Sequence, residues 1–318
     1  METVLRVDGI SKAFGQTVAV RQLSLEAAPG EVIGLLGPNG AGKTTAIRVM
    51  TTIYAPDSGT FVVDGIPFTK PSAVRRRIGV LPESAGYPLH QSGEEFVQYF
   101  ARLFGHSQRS AREIATVLIA EVGLAERASS PIATYSRGMR QRLGVARAMV
   151  NAPSVLFLDE PTLGLDPAGQ RQILALISEV AKERGATVIL STHFLDEVEE
   201  VCSRVIILNH GEVIAEGPVA VIKRQAAPRA ARVRVSEEMH EIALTALKRA
   251  PGVADARAIN GGRGWISATL EAARNGGEEA ANAPIRTLIE AGIPILSFEV
   301  EGGKLSDAFL ALTGEARA

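Results

Sequence analysis

The stretch Gly37-Pro38-Asn39-Gly40-Ala41-Gly42-Lys43-Thr44 decides how this 318-residue chain is read. It has the spacing G-x-x-x-x-G-K-[ST], follows the apolar run Val32-Ile33-Gly34-Leu35-Leu36 and leads into a helical pattern. Glycines let successive backbone N–H groups turn inward onto phosphate oxygens, and the following helix presents its positive N-terminal end. Residues Gly37, Pro38, Asn39, Gly40, Ala41, Gly42, Lys43, Thr44 and the adjoining Thr45 are therefore the expected cradle of a polyphosphate. Lys43 supplies a point charge for the β- and γ-phosphates, and the Thr44 hydroxyl supplies a ligand for Mg²⁺.

Further along, Val155-Leu156-Phe157-Leu158-Asp159-Glu160 is an apolar strand ending in two acids. Asp159 is placed to hold Mg²⁺ directly or through water, and Glu160 to orient or deprotonate an attacking water. Thr187-Val188-Ile189-Leu190 and Val205-Ile206-Ile207-Leu208 are likewise apolar on consecutive positions. That pattern belongs to strands buried on both faces of a parallel sheet. Between the runs at 155–158 and 187–190, Ile173, Leu176, Ile177 and Val180 recur at helical spacing. Strand alternating with helix is an α/β arrangement, and with the loop at residues 37–44 it reads as a P-loop nucleoside triphosphatase.

Composition narrows the class without naming it. The chain is 46% hydrophobic and 22% charged, with a formal net charge of −1. This excludes global disorder and gives no sign of a strongly basic nucleic-acid binder. Cys202 is the only cysteine, so no internal disulfide can form, and it reads as a small packing residue in a reducing compartment. The opening Met1-Glu2-Thr3-Val4-Leu5-Arg6 lacks the form of a signal peptide, and no apolar run reaches the 18 or so residues of a membrane span. His90, His106, His210 and His240 are too scattered to suggest zinc.

Three more segments carry a resemblance. Tyr135-Ser136-Arg137-Gly138-Met139-Arg140-Gln141-Arg142 precedes the Asp159-Glu160 strand, Leu163-Gly164-Leu165-Asp166 follows it, and Ser191-Thr192-His193 closes a later strand. In content, order and spacing, residues 3–217 resemble the ATP-binding cassette family. The resemblance implies two cassettes sandwiching two ATP molecules head to tail. Ser136 and Gly138 of one subunit would contact the γ-phosphate held by the other, and Asp166 would lie at the dimer interface. His193 would contact the γ-phosphate, and Phe14 in Lys12-Ala13-Phe14-Gly15 would stack on adenine. Arg137 and Met139 depart from the commonest signature, Leu-Ser-Gly-Gly-Gln. Glu83 stands where the family has a glutamine; a carboxylate can ligate Mg²⁺ as an amide oxygen does, but it brings negative charge near the γ-phosphate. The Tyr-Ser-Arg-Gly-Met variant, Glu83 and the ending Leu305-Ser306-Asp307-Ala308-Phe309-Leu310-Ala311-Leu312-Thr313-Gly314 resemble the drug-resistance exporter branch.

The organisation expected is a cassette at 1–217 with a helical insertion at about 88–150, a linker at 218–230 and an accessory domain at 231–318. Ser92 and Glu95 have capping-box spacing at the start of the insertion. Residues 219–236, which take in the linker and the start of the accessory domain, hold Lys223, Arg224, Arg229, Arg232 and Arg234 with no acid and read as a solvated connector, with contact to phospholipid head groups or nucleic acid as the alternative. Beyond the linker the order strand, helix, strand, strand, helix, strand gives a ferredoxin-like βαββαβ domain with no visible active site; Trp265 is expected in its core, with a partner-surface anchor as the alternative. The function this implies is an ATP-hydrolysing subunit with ATP and Mg²⁺. It would act as a homodimer or pseudo-symmetric dimer on a separate transmembrane permease, peripheral on the cytoplasmic face of the membrane, with no nucleic acid. A soluble cassette ATPase acting on ribosomes or DNA is the alternative. A P-loop small-molecule kinase would leave residues 135–142 and 191–193 without a purpose.

Overall fold

A computed structural model describes residues 3–225, 230–259, 264–271, 278–301 and 304–313. The chain divides into two compact units, Met1–Gly217 and Pro218–Ala318. The first unit opens with β1 (Leu5–Phe14) and β2 (Thr17–Ala27), then β3 (Val32–Leu36), α1 (Lys43–Met50), β4 (Ser58–Val63), β5 (Ile66–Pro67), α2 (Pro71–Arg75) and β6 (Ile78–Leu81). The helices α3 (Gly93–Leu103), α4 (Gln108–Glu121) and α5 (Arg137–Met149) follow, then β7 (Val155–Asp159), α6 (Pro167–Arg184), β8 (Thr187–Thr192), α7 (Leu195–Val201), β9 (Arg204–Asn209) and β10 (Glu212–Pro218).

Six strands form the central sheet in the order β10-β9-β3-β8-β7-β6. From β9 to β6 all neighbours are parallel. Every residue of β3, β7 and β8 is buried, which is why those runs are apolar on consecutive positions. Register matters for the site: Leu36 pairs with Thr192, and Asp159 pairs with Ser191. The ends of β3, β8 and β7 therefore lie side by side, at the edge where parallel sheets bind ligands.

A second sheet, β2-β1-β4-β5, was not anticipated from the sequence. It is antiparallel, and its buried side chains Leu5, Val7, Ile10, Val20, Leu23, Leu25, Phe61 and Val63 share one core with Ile33 and Leu35 of β3 and Ile47 and Met50 of α1. Burying each large apolar side chain contributes about 1.5–3 kcal/mol, so this shared core ties the phosphate loop to both sheets. Its signature was the alternation in β1 and β2, where Leu23 and Leu25 are buried and Ser24 and Glu26 exposed. In the insertion the capping box is formed: Glu95 N donates to Ser92 Oγ at 3.2 Å and Ser92 N to Glu95 Oε2 at 2.8 Å.

The second unit contains α8 (Val219–Gln225), β11 (Ala230–Arg234), α9 (His240–Lys248), β12 (Val253–Ala258), β13 (Trp265–Leu270), α10 (Glu278–Glu290), β14 (Ser297–Glu301) and α11 (Leu305–Thr313). From β11 to β14 the element order is βαββαβ, in an antiparallel sheet ordered β12-β13-β11-β14. Its core gathers Val233, Val235, Leu247, Ile266, Leu270 and Leu288. Trp265 is not in that cluster: the pleat gives the core face to Ile266, Ala268 and Leu270, and Trp265 stands on the opposite face. The stretch read as a connector also differs. Residues 219–225 form α8, which buries Val219 and Ile222 and packs on α11, so one apolar helix face overrides the basic composition. Arg232 and Arg234 of the same stretch belong to β11, while residues 226–229 with Arg229, and Gly314 of the closing motif, lie outside the described residues.

Candidate nucleotide site

The loop between β3 and α1 is shaped by what lies beneath it. Gly42 has φ +103°, and a Cβ there would collide with the Ala19 carbonyl; only glycine lets the loop settle onto β2. Lys43, 6% exposed, folds back to donate from Nζ to the carbonyls of Gly37 at 2.6 Å and Pro38 at 3.2 Å. Its Nζ also lies 3.7 Å from Glu160 Oε1. Burial holds this ammonium below the ordinary lysine range, opposed by the neighbouring carboxylates of Glu160, Asp159 and Glu83.

Asp159, buried at the end of β7, accepts from Ser191 Oγ at 2.7 Å and from Thr44 Oγ1 at 3.2 Å, both on Oδ1. A carboxylate and a hydroxyl in contact are hard oxygen donors suited to Mg²⁺ completed by phosphate oxygens and water. No group of three or more His, Cys, Asp or Glu able to hold a metal occurs among the described residues. Glu160, the next residue, has φ +50°, with its N–H donating to the Ser191 carbonyl at 2.9 Å. Its Oε2 meets His193 Nδ1 at 2.9 Å.

Lys43, Thr44, Glu160 and His193 open onto one cleft of ≈ 400 Å³, lined by residues 39–45, Glu83, Glu160 and His193, together with Ala19 and Leu163; Asp159 is buried behind Thr44 and is not part of the lining. The structure thus brings Lys43, Thr44, Thr45, Glu83, Asp159, Glu160 and His193 together, with Gly37 and Pro38 behind as acceptors. Glu83 opens a loop whose Tyr87 hydroxyl donates to the Arg140 carbonyl at 2.8 Å, joining it to α5. Phe14 does not line the cleft: it is 45% exposed, edge-on to Tyr54 at 5.3 Å, with Lys12 Nζ 5.8 Å from its ring centre. Ser136, Gly138 and Asp166 are absent from the lining as well. Ser136 caps α5, accepting from Met139 N at 3.2 Å, and Asp166 caps α6, accepting from Gly169 N at 3.1 Å. Arg137 lies against Gly164, so a side chain at that glycine would strike its guanidinium.

Sequence reading had no role for Ser191, Ala19, Leu163 or Glu197. Ser191 stood beside His193 in a recognised segment, but its bond to Asp159 depends on β8 and β7 being neighbours. Glu197 is a buried acid on α7 that accepts from Thr192 Oγ1 at 2.8 Å; burial pushes its carboxyl up, with Thr162, Thr192 and His193 opposing.

A parallel sheet ending in this loop and these carboxylates makes the molecule a P-loop nucleoside triphosphatase. The added antiparallel sheet and the insertion carrying Ser136 narrow the class, and comparison with known proteins agrees. The model of the ABC transporter family matches residues 20–163. The daunorubicin/doxorubicin resistance ATP-binding protein DrrA of Streptomyces peucetius is 37% identical over 98% of this chain and 92% of its own length. The Nod factor export ATP-binding protein I of Paraburkholderia xenovorans is 40% identical over 70% of this chain and 73% of its own. A solved structure of an ATP-binding subunit of an ABC transporter superposes with a TM-score of 0.63 at 31% identity, covering 70% of this chain and 92% of that one. The chain belongs to the ABC transporter family, as an ATP-binding and ATP-hydrolysing subunit.

Proposed function

We propose that this subunit energises export: it binds Mg²⁺·ATP, pairs head to tail with a second cassette, and drives a separate membrane-spanning permease from the cytoplasmic face. The direction is supported by relatives named for drug resistance and for Nod factor export. No helix among the described residues is long and apolar enough to cross a membrane, consistent with a peripheral subunit acting on a spanning partner. The dimer is supported by the placement of Ser136, Gly138 and Asp166 away from the cleft, where a second copy could present them to bound nucleotide. Phe14 is 45% exposed, and its ring is assigned to stack on adenine.

The observation that carries the chemistry is the 2.9 Å contact between Glu160 and His193 above Lys43. Water attacks the γ-phosphorus in line, its proton passes to Glu160, and the β–γ bridging oxygen leaves with the bond electrons. His193 holds Glu160 in orientation and reaches toward the γ-phosphate, and Lys43 exchanges the Gly37 and Pro38 carbonyls for phosphate oxygens. Thr44 and Asp159, with Glu83 at the cleft wall, would hold Mg²⁺, which neutralises charge across the phosphates when bound. The test is Glu160→Gln. Loss of a general base costs about 10²–10⁴-fold in rate, so this variant should bind ATP, stop hydrolysing and accumulate as an ATP-bound dimer on size exclusion. Hydrolysis at the wild-type rate would remove Glu160 from the base role.

A further inference from the structure

Glu160 and His193 stand just beyond the ends of β7 and β8; past the bond from Glu160 N to the Ser191 carbonyl the two turns separate, and the contact of the pair is made through side chains, so it depends on how those turns are held. Two residues beyond Glu160 stands Thr162, fully buried; one residue before His193 stands Thr192, also fully buried. Glu197, 5% exposed, faces both. Its Oε2 accepts from Thr192 Oγ1 at 2.8 Å, and that hydroxyl oxygen in turn accepts from Phe194 N at 3.0 Å, closing the turn around His193. On the other side the clasp is open. Thr162 Oγ1 is near enough to favour the charged carboxyl, yet neither it nor Glu197 Oε1 has a hydrogen-bond partner among the described residues. Two buried polar oxygens left unpaired are costly, and a small closing movement that lets the hydroxyl donate to Oε1 satisfies both.

We propose that Glu197 is a positioning residue for ATP hydrolysis, its carboxyl group clasping Thr192 on one side and Thr162 on the other so that Glu160 and His193 are held in contact. The proposal rests on the roles given above to those two residues. It also links the His193 turn to the segment from Thr162 to Asp166, so the segment assigned to the dimer interface and the hydrolytic pair settle together. Glu197 touches no substrate in this scheme, and the nucleotide cradle at residues 37–45 does not depend on it.

The test compares Glu197→Ala, Glu197→Gln, Thr162→Val and the Glu197→Ala/Thr162→Val pair in the purified full chain, measuring kcat and KM for Mg²⁺·ATP and thermal melts. Misplacement of a reacting group by about 1 Å costs up to about 10²-fold, so Glu197→Ala should lose about tenfold or more in kcat while KM stays within about twofold. Glu197→Gln keeps an acceptor for Thr192 and a polar group facing Thr162, and should restore kcat to within about threefold, as a maintained orientation requires. Thr162→Val should lose severalfold, and the pair no more than Glu197→Ala alone, because both break one clasp. Wild-type kcat in Glu197→Ala, or a rise in KM that accounts for the whole loss, overturns the proposal. If Glu197→Ala does not fold, wild-type kcat in Thr162→Val overturns it instead. Glu160→Gln run alongside separates the two levels: unimpaired hydrolysis there refutes the base assignment itself, whatever Glu197 does.

Discussion

Replacing Lys43 by methionine separates what this residue does for ATP from what it does for the empty fold. At 3.7 Å from Glu160 and an effective dielectric near 20, the gross attraction is about 4 kcal/mol. Burial of each ion costs several kcal/mol, which cancels most of that gain. The direction of the balance is visible in Lys43 itself, whose ammonium is held below the ordinary range, burial outweighing three neighbouring carboxylates. For a lysine with a depressed native value, stability is present above the unfolded value and is lost as pH falls from there through the native one, so the cost is borne in full only below both. Lys43→Met removes that cost but strips Glu160 and Asp159 of their counter-charge. Near pH 8 these effects offset to within about 1 kcal/mol. ATP affinity behaves otherwise, since losing charge-assisted bonds to phosphate costs about 1.5–3 kcal/mol, or about 10- to 10²-fold in Kd. Urea melts at pH 8, with titration calorimetry for ATP, read both quantities. A variant destabilised by about 3–5 kcal/mol at pH 8, as when a net-favourable buried pair is broken, would refute the reasoning. So would an unchanged Kd.

Further outcomes follow from the same geometry. Burial pushes the Cys202 thiol up to about 12, and its Sγ packs toward Gly34, so a disulfide reagent at pH 8 should leave the folded chain unmodified and label its single thiol only after denaturation; prompt labelling of the native protein would contradict the packing. Asp166→Ala removes the cap of α6 and should cost about 1 kcal/mol, whereas Asp166→Asn retains it and should melt with wild type. If Asp166→Asn also keeps full ATPase activity, the carboxylate has no role at the dimer interface.

The parts legible in the sequence were those encoded locally. The phosphate loop depends on glycines and a lysine within eight consecutive residues, and strands buried on both faces have no polar face to interrupt their apolar runs. Capping of α3 by Ser92 and Glu95 is similarly a matter of three-residue spacing. The antiparallel sheet was written more faintly, as an alternation in β1 and β2 that bulges interrupt, and α8 was hidden by its basic composition.

What the tertiary structure alone decided is which distant groups meet. Nothing in the order of residues states that β8 lies between β3 and β7, yet that placement brings Thr44 to Asp159 across 115 residues and Glu160 to His193 across 33. The same neighbourhood buries Glu197 between two threonines, one ending β8 and one in the turn after β7. The sequence by itself determined that a nucleoside triphosphate is bound and which residue types would act on it. The tertiary structure decided how those residues are held, because strand order and side-chain burial are set by long-range packing that no local pattern records.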